Sequence, residues 1–262
     1  MSLNAWGGAL WSDLGPWLAS CGADVVCLQE VSRTPGLGGW TTFEDRHRRL
    51  RQRANLFDDV RAVLPGHRAD YVACDTGPIR DPEGCIHAQE LGLGVFVHDA
   101  LTTIGGRASF VHGDHVVHTD EWAIDDRPRA AQGVRVVETA TGRRVTVVHL
   151  HGLRDSSGKA DIPARRRQAE ALARFVDELR GVGDLTVVAG DLNLLPDSET
   201  FAILAGIGLT DMVGTAPTRT SHYPKPVPHA DYLLVSDPDA VHRFEIVTDP
   251  EVSDHRPLVL DL

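Results

Sequence analysis

Thr186 to Ser198 reads TVVAGDLNLLPDS. It opens as a buried strand, Thr-Val-Val-Ala, and then sets a carboxylate, Asp191, and a carboxamide, Asn193, on either side of Leu192. If the strand persists through Asn193, both side chains share one face at its C-terminal end, where open sheets assemble sites. The alternative is an Asx turn capping the next element.

The pattern recurs along the chain. VVCLQE ends an apolar run in Gln29-Glu30, VTVVHLHG ends one with His149 and His151, HADYLLVSD places Asp231 before another, and VSDHRPLVLDL sets Asp254-His255 before the last. Asn4 lies within the first run, SLNAWGG. Each polar group buried without a partner costs ~1–3 kcal/mol, and convergence on one site removes that cost for all of them together.

Other β-rich runs, bordered by Gly, Pro and Asp, complete a set of short strands: Ser2–Trp6, Val25–Gln29, Tyr71–Cys74, Gly94–Val97, Val134–Glu138, Val145–His151, Thr186–Gly190, Tyr232–Val235, Glu245–Val247 and Leu258–Leu262. The link Thr139–Arg144 is short enough to be a hairpin between antiparallel neighbours. Helices are expected at Glu44–Leu64, at Pro163–Arg180 with Asp161 as cap, and at Ser198–Leu204 with Ser198 as cap. Thr76–Glu90 and Phe110–Arg129 read as long loops. No linker or repeat divides the 262 residues, so one domain spanning 1–262 is expected, an α/β (α+β) fold with two packed sheets.

The formal net charge is −11, which argues against holding DNA by broad backbone electrostatics but not against a phosphate substrate helped by a metal ion. The basic runs Arg46–Arg53 and Arg165–Arg167 fall on expected helices and read as solvated faces. No apolar run approaches a membrane span and no signal peptide is visible, so a cytoplasmic protein, monomeric by default, is expected. Of four cysteines, Cys27 reads as a buried hydrophobe; Cys74 and Cys85 flank a loop and would pair only in an oxidising compartment. His112, His115 and His118 are spaced by three, which suits an ordinary surface loop better than a closed metal site.

The strand-end residues suit one chemistry. Glu30 and Asp254, with Asn4, are hard oxygen ligands for Mg²⁺ or Mn²⁺. His151 and His255 suit non-bridging phosphate oxygens, Asp191 held by Asn193 suits an attacking water, and Asp231 suits holding His255 in its cationic form. Arg154, Lys159 and Arg165 follow the His151 strand closely and are candidates for a second phosphate or acidic group.

At these residues the chain resembles the endonuclease/exonuclease/phosphatase superfamily, with DNase I-like, exonuclease III-like and neutral sphingomyelinase members. The resemblance rests on Asn4, LQE with Glu30, the strand-end His151, GDLN with Asp191 and Asn193, DYLLVS with Asp231, and SDH with Asp254-His255. It implies a four-layered sandwich, two mainly antiparallel sheets flanked by helices. It also implies Glu30 as principal metal ligand, Asp191 on the nucleophile and the His255–Asp231 pair on the phosphate. HLHG stands where the family has a pattern like N-T-H-L, and no tyrosine matches the substrate-contacting one of apurinic-type nucleases. The expected activity is a metal-dependent phosphodiesterase or nuclease. The alternatives are a phosphomonoesterase or phospholipid-headgroup hydrolase on the same fold, or a catalytically silent binding domain.

Overall fold

The computed structural model describes residues 1–46 and 48–262; His47, inside the first basic run, lies outside them. In chain order the strands are β1 (Ser2–Asn4), β2 (Val25–Arg33), β3 (Trp40–Glu44), β4 (Arg49–Arg53), β5 (His67–Arg80), β6 (Ile86–His98), β7 (Leu101–His112), β8 (Val116–Val117), β9 (Arg129–Glu138), β10 (Arg144–His151), β11 (Leu185–Asp191), β12 (Thr210–Asp211), β13 (Asp231–Val235), β14 (Arg243–Ile246) and β15 (Leu258–Asp261). The helices are α1 (Trp11–Ser20), α2 (Leu56–Val63), α3 (Pro163–Leu179) and α4 (Glu199–Ala205).

One sheet runs β14-β15-β1-β2-β6-β5-β3-β4 with β8 beside β5; the other runs β12-β13-β11-β10-β9-β7. Pairing is mainly antiparallel. Of the three parallel pairs among the described residues, β1/β2 and β10/β11 are each joined through a helix, α1 and α3, because a parallel return needs a long crossover, and β5/β8 is a two-residue contact. Val95, Val97, Val134 and Val136 fill the space between the sheets with Cys27. Leu14 and Leu18 of α1 and Phe57 and Val60 of α2 pack on Val26, Leu28 and Phe96 of the first sheet. Leu172, Phe175 and Val176 of α3 and Leu204 of α4 pack on Val148, Leu150 and Val188 of the second. This is the four-layered sandwich.

Several sequence expectations are corrected. Glu44–Leu64 is not one helix. Its first half is the β3–β4 hairpin, in which Leu50 and Gln52 turn inward while Arg49 and Arg51 face solvent, a period of two. Only Leu56–Val63 is helical among the described residues of this span, and Arg49–Arg53 of the basic run form β4. Thr76–Glu90 is the distal part of the β5–β6 hairpin, and β7 covers the start of the Phe110–Arg129 loop. The helix α1 escapes sequence reading because Gly15-Pro16 sits in its middle. Asp161 does not cap α3. It accepts Ser198 Oγ at 2.5 Å and Glu199 N–H at 2.8 Å, holding the start of α4 instead. All four cysteines are free; Cys74 is buried and Cys85 exposed, so the two do not pair. No helix among the described residues is long and apolar enough to cross a membrane.

Candidate active site

The two sheets carry their polar strand ends to the same end of the sandwich. His151 of β10 lies in register with Asp191 of β11, and Asp191 with Asp231 of β13, so three adjacent strands set these side chains side by side. On the other sheet, Asn4 of β1 pairs in register with Gln29 of β2. The β2/β6 register breaks between Leu28 and Val31, and Glu30 sits in this bulge at φ +51°. The bulge re-aims one side chain without ending the strand. Asp254 and His255 enter just before β15, where His255 bridges to Arg219.

Asp191 is the hub. Its Oδ2 accepts Asn4 Nδ2–H at 3.0 Å and lies 3.5 Å from His255 Nε2 and 3.6 Å from His151 Nε2. Its Oδ1 accepts the Asn193 backbone N–H at 3.0 Å. Asn193 therefore does not continue the strand; it occupies a left-handed turn at φ +55°, and the Asx-turn reading holds together with a place in the cleft lining. On the far side of the imidazole, His255 Nδ1 meets both Asp231 oxygens at 2.8 and 2.9 Å.

The β10 histidines separate cleanly. His149 lies in the middle of the inter-sheet layer, with Nδ1 3.2 Å from Gln29 Nε2 and Nε2 3.0 Å from Gln132 Oε1. Since Gln29 Nε2 is a donor, Nδ1 accepts and Nε2–H donates, so the ring is neutral; burial holds it at about 3. His151, two residues on, reaches the cleft.

The electrostatics divide the ionisable groups. Burial pushes Glu30 up, but Arg48, 3.7 Å away, and His255 outweigh it and hold it at about 2. Burial also opposes ionisation of Asp191, and His255 and Arg219 bring it well below the usual carboxylate range. Burial lowers His255, yet Asp231 more than restores it, so this imidazole is raised. Burial and Arg129 lower His151 to about 3, leaving it neutral. Burial raises Asp254, which is paired with Arg219 at 2.9 Å.

These groups line a cleft of about 340 Å³. Despite the net charge of −11, its lining has seven basic side chains against four acidic ones. Most of the basic ones escaped sequence reading. Arg127 is fixed by a bidentate pair to buried Asp75 at 2.7 and 2.8 Å, with His118 on the same carboxylate at 3.0 Å. Arg129 is 5% exposed and its guanidinium has no hydrogen-bond or ion-pair partner among the described residues. The only local signal was R-P-R before a strand, which any loop can carry. Of the four non-glycine residues with positive φ among the described residues, Trp6, Glu30 and Asn193 line this cleft. Strain of this kind costs of order 1–3 kcal/mol per residue and gathers at sites.

The three expected substrate contacts part company. Arg154 lines the cleft and has no partner among the described residues. Arg165 turns inward and donates to the carbonyls of Leu153, Gly158 and Ala160, so it braces the loop before α3 rather than facing the cleft. Lys159 donates to His229 O outside the cleft lining, with burial lowering it to about 8.

The donors fit a hard cation. Asn4, Glu30 and Asp254 each offer an oxygen donor, and Glu30 stays ionised in its half-buried place. The tightest candidate group among the described residues is a different one, Asp191, Asp231 and His255, whose ligand atoms lie within 4.8 Å of one another. In that trio His255 Nδ1 is engaged by Asp231, while His255 Nε2 lies 3.5 Å from Asp191 Oδ2.

The site is thus a carboxylate–histidine hub beneath a cleft with a surplus of basic side chains, at one end of a four-layered sandwich. The chain belongs to the endonuclease/exonuclease/phosphatase family, whose sequence pattern matches residues 1–255. It is 29% identical over 123 residues to a Caenorhabditis elegans protein described as a neutral sphingomyelinase, a match covering 45% of this chain and 27% of that protein. The fold is similar to a mannosyl-6-phosphatase of Bacteroides thetaiotaomicron, with a TM-score of 0.67, 17% identity and coverage of 99% and 97% of the two chains. It is also similar to D. rerio TDP2 complexed with a single-strand DNA product, with a TM-score of 0.63, 14% identity and coverage of 99% and 96%. Identities this low speak for the fold alone.

Proposed function

We propose that this chain is a Mg²⁺- or Mn²⁺-dependent phosphodiester hydrolase of the phosphodiesterase or nuclease type. The observation that carries the reading is the Asp231–His255–Asp191 line at the wall of the cationic cleft. Asn4, Glu30 and Asp254 would hold the ion, which when bound supplies positive charge to the phosphoryl oxygens. Asp191, anchored by Asn4 and the Asn193 backbone, accepts a hydrogen bond from the attacking water and orients it. Its low pKa makes it an orienting acceptor more than a strong base. His255, which Asp231 biases towards its cationic form, donates from Nε2 to the oxygens on which charge builds. Neutral His151 adds a second donor. The water oxygen bonds to phosphorus as the P–O bond to the leaving alcohol breaks; the water loses one proton and the departing oxygen gains one. No covalent intermediate forms. Arg129 and Arg154, both without partners among the described residues, suit a further anionic group on the substrate.

The test is hydrolysis of a chromogenic phosphodiester, a chromogenic phosphomonoester, and single-stranded and duplex DNA, with Mg²⁺, Mn²⁺ or EDTA and with Asp191→Ala as control. Diester or DNA cleavage lost with EDTA and in the variant supports the reading. Monoester cleavage alone replaces it with the phosphatase reading, which the surplus of basic residues in the cleft favours. Intact metal binding without turnover on any of these moves the search to phospholipid headgroups, and no metal binding at all leaves a catalytically silent domain.

A further inference from the structure

We propose that Arg219 is an exchangeable counter-ion: it holds Asp254 while no divalent cation is bound there, and turns to the phosphoryl group of the substrate once one is. Cation binding and anion binding in the cleft are thereby linked through one side chain. This deepens the hydrolase reading above and rests on it.

Two of the three side chains offered to a cation are already in use. Asn4 Oδ1 accepts Trp6 N–H at 3.0 Å, and Asp254 Oδ2 accepts Arg219 Nη1–H at 2.9 Å. The amide oxygen keeps a second lone pair beside its neutral donor. The guanidinium is a full positive charge, and sharing its oxygen with a second cation sets like charges against each other. Arg219 is the nearest cationic group to the Asp254 carboxylate, with His255 Nε2 next at 3.7 Å. The carboxylates of Glu30 and Asp191 add like charge around Asp254, on top of its burial. A counter-charge is needed there, and Arg219 supplies one.

Arg219 is held loosely enough to leave. A guanidinium has five donors. Among the described residues the Arg219 side chain makes one hydrogen bond, the one to Asp254; Nη2 stands 4.0 Å from Asp191 Oδ2, and Nε is buried without a hydrogen-bond partner. Arg127 shows the opposite case, with two bonds of 2.7 and 2.8 Å to Asp75, a residue outside the cleft lining. The Arg219 backbone is fixed: its N–H donates to Pro228 O at 3.2 Å, and the neighbouring Thr220 Oγ1–H donates to Ser253 O at 2.8 Å. Movement is confined to the side chain. The Tyr223 ring lies against the guanidinium at 4.0 Å. A guanidinium stacked on an aromatic face keeps that contact while its edge turns to a new acceptor. A phosphoryl group offers several oxygens in the bidentate geometry that a guanidinium fits.

Arg48 supplies the contrast. It lies 3.7 Å from Glu30, beyond hydrogen-bond reach, and adds charge to the site without occupying a ligand oxygen.

The test compares wild type, Arg219→Met and Arg48→Met by calorimetric binding of Mg²⁺, by binding of inorganic phosphate with and without Mg²⁺, and by melting in EDTA. Arg219→Met should bind Mg²⁺ about tenfold tighter, because a charged hydrogen bond to the ligand oxygen is gone. Arg48→Met should change that affinity by less than about threefold, as expected of charge alone in an open cleft. Arg219→Met should weaken phosphate binding about tenfold or more with Mg²⁺ present and by less than about twofold without it. In EDTA it should melt below wild type. If Arg219→Met does not fold, Arg219→Gln is read in the same way. The exchange is overturned by a Mg²⁺ affinity that is unchanged or weaker in the Arg219 variant, by an equal gain in Arg48→Met, by a phosphate loss independent of Mg²⁺, or by melting in EDTA at or above wild type. In any of those cases a wild-type chain that binds Mg²⁺ and cleaves a chromogenic diester keeps the hydrolase reading; no Mg²⁺ binding by wild type or variants removes both.

Discussion

Asp75→Asn tests the support beneath the cleft. Asp75 is 1% exposed and carries the bidentate Arg127 pair and His118. The substitution keeps the shape but leaves Arg127, itself buried, without a counter-charge. Breaking one partner of a buried pair costs about 3–5 kcal/mol. With an unfolding entropy of about 2.1 cal/mol/K per residue over 262 residues, that lowers Tm by roughly 5–9 °C. The effect has a pH signature. Burial pushes Asp75 up, but Arg127 and His118 hold it at about 2, below the ordinary 3.8. A depressed carboxylate contributes stability that is present above about pH 4 and lost as pH falls towards 2, here about 2 kcal/mol. The gap between wild type and variant should therefore be full at pH 7 and should narrow between pH 4 and pH 2. Scanning calorimetry over that range, followed by Trp122 fluorescence because its ring stacks over Arg127 at 5.0 Å, measures both. Asp75→Asn/Arg127→Met should recover much of the loss, since both charges leave together. A single variant melting within about 1 °C of wild type, or a gap independent of pH, would refute the reasoning.

Three further outcomes follow from the same geometry. Glu30→Gln should weaken Mg²⁺ binding at least about tenfold by calorimetry and abolish most turnover, because it removes the ionised carboxylate proposed to hold the ion. Arg129→Ala should raise KM about tenfold or more while raising Tm, since a buried guanidinium without a partner destabilises the fold it serves; a fall in Tm counts against its being unpaired. Gly190→Ala should cost roughly 3 kcal/mol in urea unfolding, because its φ is +143° and a Cβ would lie 2.1 Å from Leu150 O.

Local order was readable where physics is local. Apolar runs with abrupt polar ends gave the inner strands β2, β10, β11 and β13, and the stripe of Ala169, Leu172, Val176 and Leu179 gave α3. The polar ends named the residues that the structure gathers at one end of the sandwich: Asn4, Glu30, His151, Asp191, Asp231, Asp254 and His255. Exposed or interrupted elements were lost. The edge strand β7 lacks an alternating apolar face, and α1 carries Gly15-Pro16.

The sequence by itself determined which strands are buried and which polar groups stand at their ends, because burying a polar group is a local cost written in residue type. Which of two histidines on one strand face reaches the cleft was decided by depth between the sheets, with His149 held by Gln29 and Gln132 and His151 at the mouth. Which arginines serve the cleft was decided by contacts distant in sequence. Asp75 finds Arg127 52 residues away, Arg219 finds Asp254 35 away, and Arg165 spends its donors on its own loop. A guanidinium's role is set by what lies opposite it, and only the packed tertiary structure decides that.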